Sequence, residues 1–281
     1  MDLNIYQKTI NELIEAKIPS PRLEARILIA KASGTDANCV YSSTELTDEQ
    51  LNKLYAMIDE RKKHKPLDKI VGVKGFYRYD FFTSVDVLSP RPDTEILVEE
   101  AIKIIKANNF KTLLDLGTGS GCIVLSILAQ CEDVSALAVD ISDKALKIAQ
   151  KNAEQLDLTD RCKFINANWF DADFESKLQK KYDIIVSNPP YIPTEDIKTL
   201  EPEVKNFDPL LALDGGKDGL ESYKQIAIVA KEKISLNGYV LIEAGINQAQ
   251  DIVNIFTAQG FTHIASVNDL NFIPRTIVFK A

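Results

Sequence analysis

The sequence predicts an α/β protein: an open, doubly wound parallel sheet preceded by a small helical bundle. Three observations predict it. From about Lys111 onward, short apolar β-prone runs alternate with stretches of helical spacing, the signature of parallel strands joined by crossover helices. The glycines Gly117, Gly119 and Gly121 cluster where the first of those strands would turn into a helix. Before about Gly75 the spacing is helical, and no strand is legible. With 281 residues the chain is long enough for one large or two ordinary domains. The expected division is a helical domain over 1–75, a β-hairpin linker over 76–88 and an α/β domain over 89–281.

Taken in order, "IYQKTINELIEAKI" puts Ile5, Ile10, Leu13 and Ile14 on one helix face. A second helix follows, with Ser20 as N-cap, Pro21 as first helical residue and Gly34 as its stop. A third opens on a Thr47 cap with Glu49 and Gln50 in its first turn, and carries Leu51, Leu54, Met57 and Ile58 at helical spacing. Between Val71 and Leu88 the text becomes aromatic and β-prone, with Gly72 and Gly75, and reads as a short hairpin. Then come the strands "KTLLDL", "VSALAVD", "CKFIN", "YDIIVS" and "GYVLIEA". Between them lie helices beginning near Gly121, Ser142 and Leu220, another follows near Asn247, and "THIASVND" and "RTIVFKA" close the chain.

Composition excludes several classes. The net charge of −8, from 33 basic and 41 acidic residues, disfavours long nucleic acid held by the overall field. The charge is uneven: up to Gly75 there are 12 Lys/Arg against 11 Asp/Glu, so nearly all the acidic excess lies in the rest of the chain. The run "RKKHK" from Arg61 to Lys65 is a candidate basic patch, or simply a solvated helix end with cations well placed against the dipole. No apolar run approaches the roughly 20 residues that span a bilayer. The amphipathic, mixed-charge amino end reads as neither a signal nor a transit peptide, so a cytoplasmic protein without membrane contact is expected. Cys39, Cys122, Cys131 and Cys162 form no C-x-x-C pair and are expected to be free thiols. With two histidines and no carboxylate cluster, no metal site is expected.

The chemistry is carried by the strand ends. In "LLDLGTGSGC" the segment Gly117, Thr118, Gly119, Ser120 and Gly121 turns tightly, can approach a ligand closely, and leads to a helix start with free N–H groups. Asp115 lies just upstream. Asp140 ends the second strand, where a carboxylate can accept from both hydroxyls of a ribose. The glycines fall as G-x-G-x-G and not as the dinucleotide fingerprint G-x-G-x-x-G, which disfavours a nicotinamide or flavin enzyme. The pattern is similar to the nucleoside-methionine site of class I methyltransferases. Asn168 and Trp169, after the third strand, can take the edge and face of an adenine, although a lone Trp also serves as core.

The fourth strand runs into "NPPYIP". Methylating a planar nitrogen, whose lone pair is delocalised, calls for fixed oxygens that accept its N–H protons. Asn188 can offer its side-chain carbonyl, and the carbonyl of Pro189 a second acceptor. Pro189 and Pro190 stiffen the turn, and Tyr191 can lie against the flat amide, so the acceptors are set before substrate arrives. The proton can leave after methyl transfer, to water or a neighbouring acceptor.

At this point the whole chain resembles the HemK-type (PrmC) protein-(glutamine-N5) methyltransferases that modify peptide-chain release factors. The likeness rests on "LSPRPDTEILVE" (Leu88 to Glu99), "DLGTGSGCI", "NPPYIP", "DPLLALDGGKDGLESY" (Asp208 to Tyr223), "LIEAGINQ" and "NDLNFIPRTIVFK". The resemblance implies a class I (Rossmann-like) seven-stranded methyltransferase domain behind the helical bundle. It implies S-adenosylmethionine as cofactor, with S-adenosylhomocysteine as product, held by Gly117 to Gly121, Asp140, Asn168, Trp169 and Asn188. It further implies that Asn188, Pro189, Pro190 and Tyr191 grip the glutamine of a release factor's Gly-Gly-Gln loop, with Arg91, Thr94 and Glu95 walling the site. Asn168 stands where relatives usually carry an aspartate, and Phe207-Asp208-Pro209 replaces a more usual Tyr-Glu-Pro. The amino domain would dock the release factor. A nucleic-acid adenine-N6 methyltransferase needs the same planar-amine chemistry, but it calls for a basic cleft and a target-recognition segment that are not seen. A binding protein without chemistry would be expected to have lost Asn188, Asp140 or a loop glycine. Nothing resembling an obligate dimer stripe is visible, so a monomer is expected.

Overall fold

The structure, a computed structural model, describes residues 4–40, 44–178 and 180–281. The first three residues of the amphipathic amino end therefore lie outside the described residues. The chain divides into two units, residues 1–73 with 201–207, and residues 74–200 with 208–281.

In the first unit Asn4 caps α1 (Ile5–Glu15) by accepting from the Gln7 amide at 2.9 Å. Ile10 and Leu13 are buried on its face, whereas Ile14, expected beside them, is exposed on the shoulder of a narrower stripe. Helix α2 (Pro21–Ser33) starts at its proline and stops at Gly34, whose φ of +76° suits glycine. Ser20 holds the N-cap position without a side-chain bond. Helix α3 (Asp48–Lys62) opens with a reciprocal capping box between Thr47 and Gln50. A short α4 (Leu67–Val71) completes the amino-terminal run. Leu13, Leu28, Ile29, Leu54 and Ile58 make the core.

The basic run is almost wholly spent inside this unit. Arg61 is buried, with Nε 2.6 Å from Glu24 Oε2 and Nη1 2.8 Å from Glu203 Oε1. Lys62 pairs with Glu12, and Lys63 and Lys65 both pair with Glu60. Glu203 belongs to the short helix Pro202–Phe207 (α9), and Lys69 Nζ donates to the Phe207 carbonyl at 2.8 Å. Residues 201–207, which sequence reading assigns to the carboxyl-terminal domain, thus pack with the helical unit.

The second unit begins with the hairpin of β1 (Val73–Phe76, from its second residue) and β2 (Tyr79–Phe82). A 3₁₀ turn, Pro92–Thr94, leads into α5 (Glu95–Asn108), a helix not anticipated from sequence. There follow β3 (Thr112–Leu116), α6 (Cys122–Gln130), β4 (Ser135–Asp140), α7 (Asp143–Gln155), β5 (Cys162–Asn166), the single turn α8 (Phe174–Lys177) and β6 (Tyr182–Ser187). After α9 come α10 (Glu221–Lys233), β7 (Ile234–Glu243), α11 (Ala249–Ala258), β8 (Thr262–Asn268) and β9 (Pro274–Lys280).

The seven strands lie in the order β5-β4-β3-β6-β7-β9-β8. The first five in that order pair in parallel, as expected. The last strand departs from a parallel sheet: β9 inserts antiparallel between β7 and β8, because the connection after β8 is a tight turn and not a crossover. The order reverses at β3, which has β4 on one side and β6 on the other. That switch point opens a crevice at the carboxyl ends of the strands. Register brings Leu116 beside Ser187, and Asp140 beside Asn166, at that edge. Helices α5, α6 and α7 bury Leu97, Val124, Leu128 and Ala153 in a core with one set of strand residues; α10 and α11 bury Tyr223, Ile226, Ile252 and Phe256 in the core formed with the other.

Cys122, Cys131 and Cys162 are buried and Cys39 is exposed, all as free thiols. Among the described residues no helix is long and apolar enough to cross a membrane.

Candidate active site

Strand β3 ends against a turn whose shape needs glycine. Gly117 has φ +78°, and a Cβ there would stand 3.3 Å from Trp169 Cη2. The N–H groups of Gly117 and Thr118 both reach the Val139 carbonyl at 2.9 Å, Gly119 donates to Asp140 Oδ2 at 2.8 Å, and Gly121 donates back to Thr118. The turn's own amides of Gly117, Thr118, Gly119 and Gly121 are therefore committed within the protein. What the turn offers is close approach and a positioned carboxylate, not a phosphate nest.

Behind the turn, Thr118 donates to Asp115 Oδ2 at 2.6 Å. Asp115 is fully buried; desolvation pushes it up to about 7, with Thr118 opposing and Asp140 adding to the rise. Ser120 is buried, its carbonyl taken by Asn152 Nδ2 at 2.8 Å, and Gly121 packs toward Ala149. Thr118, Ser120 and Gly121 thus support the turn from behind, while Gly117 and Gly119 face the crevice.

Asp140, at the end of β4, accepts from Gly119 on one oxygen and from Ser142 N at 2.9 Å on the other. Burial raises its pKa, against the pull of these backbone donors. After β5, Asn168 Oδ1 accepts from the Phe170 amide at 3.0 Å. Trp169 lies against Gly117, 9% exposed, and its Nε1 is buried with no partner among the described residues. Trp169 belongs both to the core cluster and to the crevice wall.

The turn after β6 is anchored on several sides. Ser187 Oγ donates to the Leu116 carbonyl at 2.6 Å. Asn188 Nδ2 donates to Thr94 Oγ1 at 3.3 Å, Pro189 is buried, and Pro190 faces the crevice. The Tyr191 carbonyl accepts from Gln248 Nε2 at 2.9 Å. Ile192 N reaches the Leu213 carbonyl at 3.0 Å, and Gly215 N returns to the Ile192 carbonyl at 2.9 Å. A Cβ at Gly215 would sit 2.8 Å from Tyr191 Cα, and one at Gly245 would sit 2.9 Å from Tyr191 Cδ2, so these two glycines let the chain close around the phenol. Burial pushes Tyr191 up to about 12, with Glu243 adding to the rise and Arg275 and Arg91 opposing.

Asn188 and Pro190 share one crevice with Gly117, Gly119, Asp140, Asn168 and Trp169, with a cavity volume of about 480 Å³. Pro189 and Tyr191 lie beside it and not in its wall. Sequence reasoning missed the apolar rim, where Ile141, Phe170, Leu210 and Leu211 are all exposed. The strand-end positions of Ile141 and Phe170 are an available signal; nothing local marks Leu210 or Leu211. It also missed Glu243, buried at the end of β7. Of the residues implied as walls, Thr94 touches Asn188, Arg91 pairs with Asp208 at 3.0 Å, and Glu95 accepts from the Tyr77 amide at 2.9 Å. Among the described residues no cluster of His, Cys, Asp or Glu could hold a metal ion.

Comparison with known proteins gives a consistent result. The family model "Methyltransferase small domain" matches residues 92–244, and "PrmC N-terminal domain" matches residues 4–72. Release factor glutamine methyltransferase of Agrobacterium fabrum is 38% identical, over 94% of this chain and 92% of its own. The protein of that name from Caulobacter vibrioides is 36% identical, over 95% of this chain and 92% of its own. Among solved structures, the hMettl16 catalytic domain in complex with a MAT2A 3′UTR hairpin superposes with a TM-score of 0.54 over 84% of this chain and 83% of that one. At 16% identity that likeness concerns the fold alone.

Proposed function

The chain belongs to the release factor glutamine methyltransferase family, and on that premise we propose that it methylates the side-chain amide nitrogen of the glutamine in a release factor's Gly-Gly-Gln loop. The observation that carries this reading is the joining of two features in one crevice: the Gly117–Asp140 corner and the Asn188–Pro190 turn.

The residues present fit S-adenosylmethionine. Asp140 has accepted one N–H on each oxygen and so keeps lone pairs for the two hydroxyls of a ribose. The spent amides of the glycine turn suit a nucleoside without phosphates. The space above Gly117, which a side chain would close against Trp169, admits close approach of a ligand. Ile141 and Phe170 supply apolar faces for an adenine, and Asn168 lies on the same wall. Gly117, Gly119, Asp140, Asn168, Trp169 and Asn188 would hold the cofactor, with Thr118, Ser120 and Gly121 shaping the turn. When bound, that cofactor supplies an electrophilic methyl group on a sulfonium.

The chain's own part is to hold the target amide. Asn188 Oδ1 and the Pro189 carbonyl accept its two N–H protons, which fixes the nitrogen and turns its lone pair toward the methyl group. Pro190 shapes the crevice beside them, and Tyr191 backs the amide plane. Its raised pKa keeps the phenol neutral, so it acts by shape and dipole and not as a base. The helical segment, residues 1–75, would dock the rest of the release factor, with the enzyme acting as a cytoplasmic monomer.

Methylation of adenine in nucleic acid uses the same chemistry. It is disfavoured by the net charge of −8 and by the pairing of Arg61, Lys62, Lys63 and Lys65 with carboxylates. The test is methyl transfer from labelled S-adenosylmethionine to a purified release factor, to the same factor with its Gly-Gly-Gln glutamine changed to Ala, and to duplex and single-stranded DNA. Label on the unaltered factor alone is expected. Label on DNA, or equal label on the altered factor, would overturn the reading.

A further inference from the structure

We propose that Glu243 is a positioning residue: together with Thr94 it fixes which way round the Asn188 carboxamide lies, so that Oδ1 and not Nδ2 faces the target nitrogen. This rests on the reading of Asn188 as an acceptor for the target amide.

A carboxamide has two ends of nearly equal size and opposite hydrogen-bonding character, so its neighbours decide its orientation. If Nδ2 faced the substrate it would oppose the target's own N–H groups, and the catalytic acceptor would be lost. The sheet places the neighbour that prevents this. Strands β6 and β7 pair in parallel with Ser187 opposite Ile242, so Asn188, just past β6, and Glu243, the last residue of β7, come next to each other.

Glu243 is 3% exposed, and the Thr94 and Asn188 side chains both favour its charged form. Burial raises Glu243 to about 7, against the opposing pull of Thr94, Arg275 and Asn188; above that pH its carboxylate is ionised and only accepts, so both neighbours then donate to it. Thr94 has one proton; once it is directed to Glu243, the Thr94 oxygen is left as an acceptor, and Asn188 Nδ2 donates to it at 3.3 Å. With both of its acceptors on the Nδ2 side, Asn188 is held with Oδ1 free.

Arg275 favours the charged form of Glu243, yet among the described residues no ion pair to it forms. Glu243 Oε2 has no hydrogen-bond partner among them. The cation that faces it, Arg275 from β9, is held instead by Asp269 at 3.0 Å and Asp93 at 3.4 Å. Tyr191 and Asp93 complete the polar surroundings and offer no neutralising charge. Burying a carboxylate without an ion-pair partner works against stability, and such groups concentrate where a site needs them.

The test uses the full chain with E243Q, T94V and T94S. The readouts are kcat and KM on the release factor, cofactor Kd, and the nitrogen–proton resonances of the Asn188 carboxamide, identified by their loss in N188D. In E243Q and T94V the Asn188 Nδ2 protons should shift. In E243Q kcat should fall about tenfold or more, while KM and cofactor Kd change less than about threefold, which is a loss confined to the transition state. T94V should lose less, and T94S should recover most of the rate. Unmoved Asn188 resonances, an unchanged kcat, or a loss confined to cofactor affinity would overturn the proposal. Should E243Q not fold, the Thr94 pair decides: equal rates and equal resonances in T94V and T94S would refute it. If the wild-type chain transfers no methyl group to the release factor, the function proposed above fails, and the resonances still decide the orientation.

Discussion

The backbone N–H of Gly119 donates to Asp140 Oδ2 at 2.8 Å, so the acid that ends β4 also holds the turn that leaves β3. Asp140→Ala should therefore do two things at once, removing a ribose partner and freeing the turn. Cofactor affinity should fall by about tenfold or more, on the order of 1–3 kcal/mol for a lost charged hydrogen-bond partner. Isothermal titration with S-adenosylhomocysteine measures it; an unchanged Kd would remove Asp140 from the cofactor site.

Gly117→Ala puts a Cβ 3.3 Å from the Trp169 ring at a φ of +78°. The left-handed backbone should cost about 1–2 kcal/mol of stability. Cofactor affinity should fall further than the melting temperature suggests, because the methyl group occupies the approach to the turn. A thermal melt and a ligand titration on the same preparation separate the two effects.

Asp115 keeps its proton to about 7 in the folded chain, against 3.8 for an unperturbed carboxyl, because burial disfavours its charge. Between those values the folded protein binds more protons than the unfolded chain, so this group's contribution to stability declines as pH rises through that window. Melting temperatures of Asp115→Asn between about pH 4 and pH 7, the window in which linkage acts here, should decline less steeply than wild type. Some slope should remain, since Glu243 is shifted the same way. An identical slope would count against a protonated Asp115.

Arg61 and Glu24 form a buried pair within the helical unit, 2.6 Å apart. Arg61→Ala leaves Glu24 buried and unpaired, at a cost of about 3–5 kcal/mol. Hydrogen exchange should show α2 and α3 losing protection, with Arg61→Lys intermediate. Unaltered exchange would mean that water replaces the guanidinium freely.

Local signals are legible in the sequence and distant ones are not. Gly34, Pro21 and the Thr47–Gln50 box act within a turn of themselves, so their roles can be read directly. Helix α5 escapes notice although Leu97, Val98, Ala101, Ile102 and Ile105 have helical spacing, because the proline-rich segment before it masks where the helix begins. The placement of β9 depends on pairing with β7, which no local pattern encodes. In the site, Gly117, Asp140 and Asn188 each stand at a strand end and can be found from periodicity. The Asn188 partner Thr94 lies 94 positions away in the chain, and Glu243 reads as one more residue of an apolar strand. The basic run looks exposed because its partners Glu12, Glu24 and Glu203 lie far off in sequence.

The most direct test of the account is Asn188→Ala, assayed for turnover on a release factor and for cofactor affinity in parallel. If Asn188 supplies a fixed acceptor to the target amide, turnover should fall about 100-fold or more, as for loss of one preorganised polar group, while cofactor Kd moves only a few-fold. Turnover near the wild-type rate would contradict the account and shift the catalytic role elsewhere in the crevice.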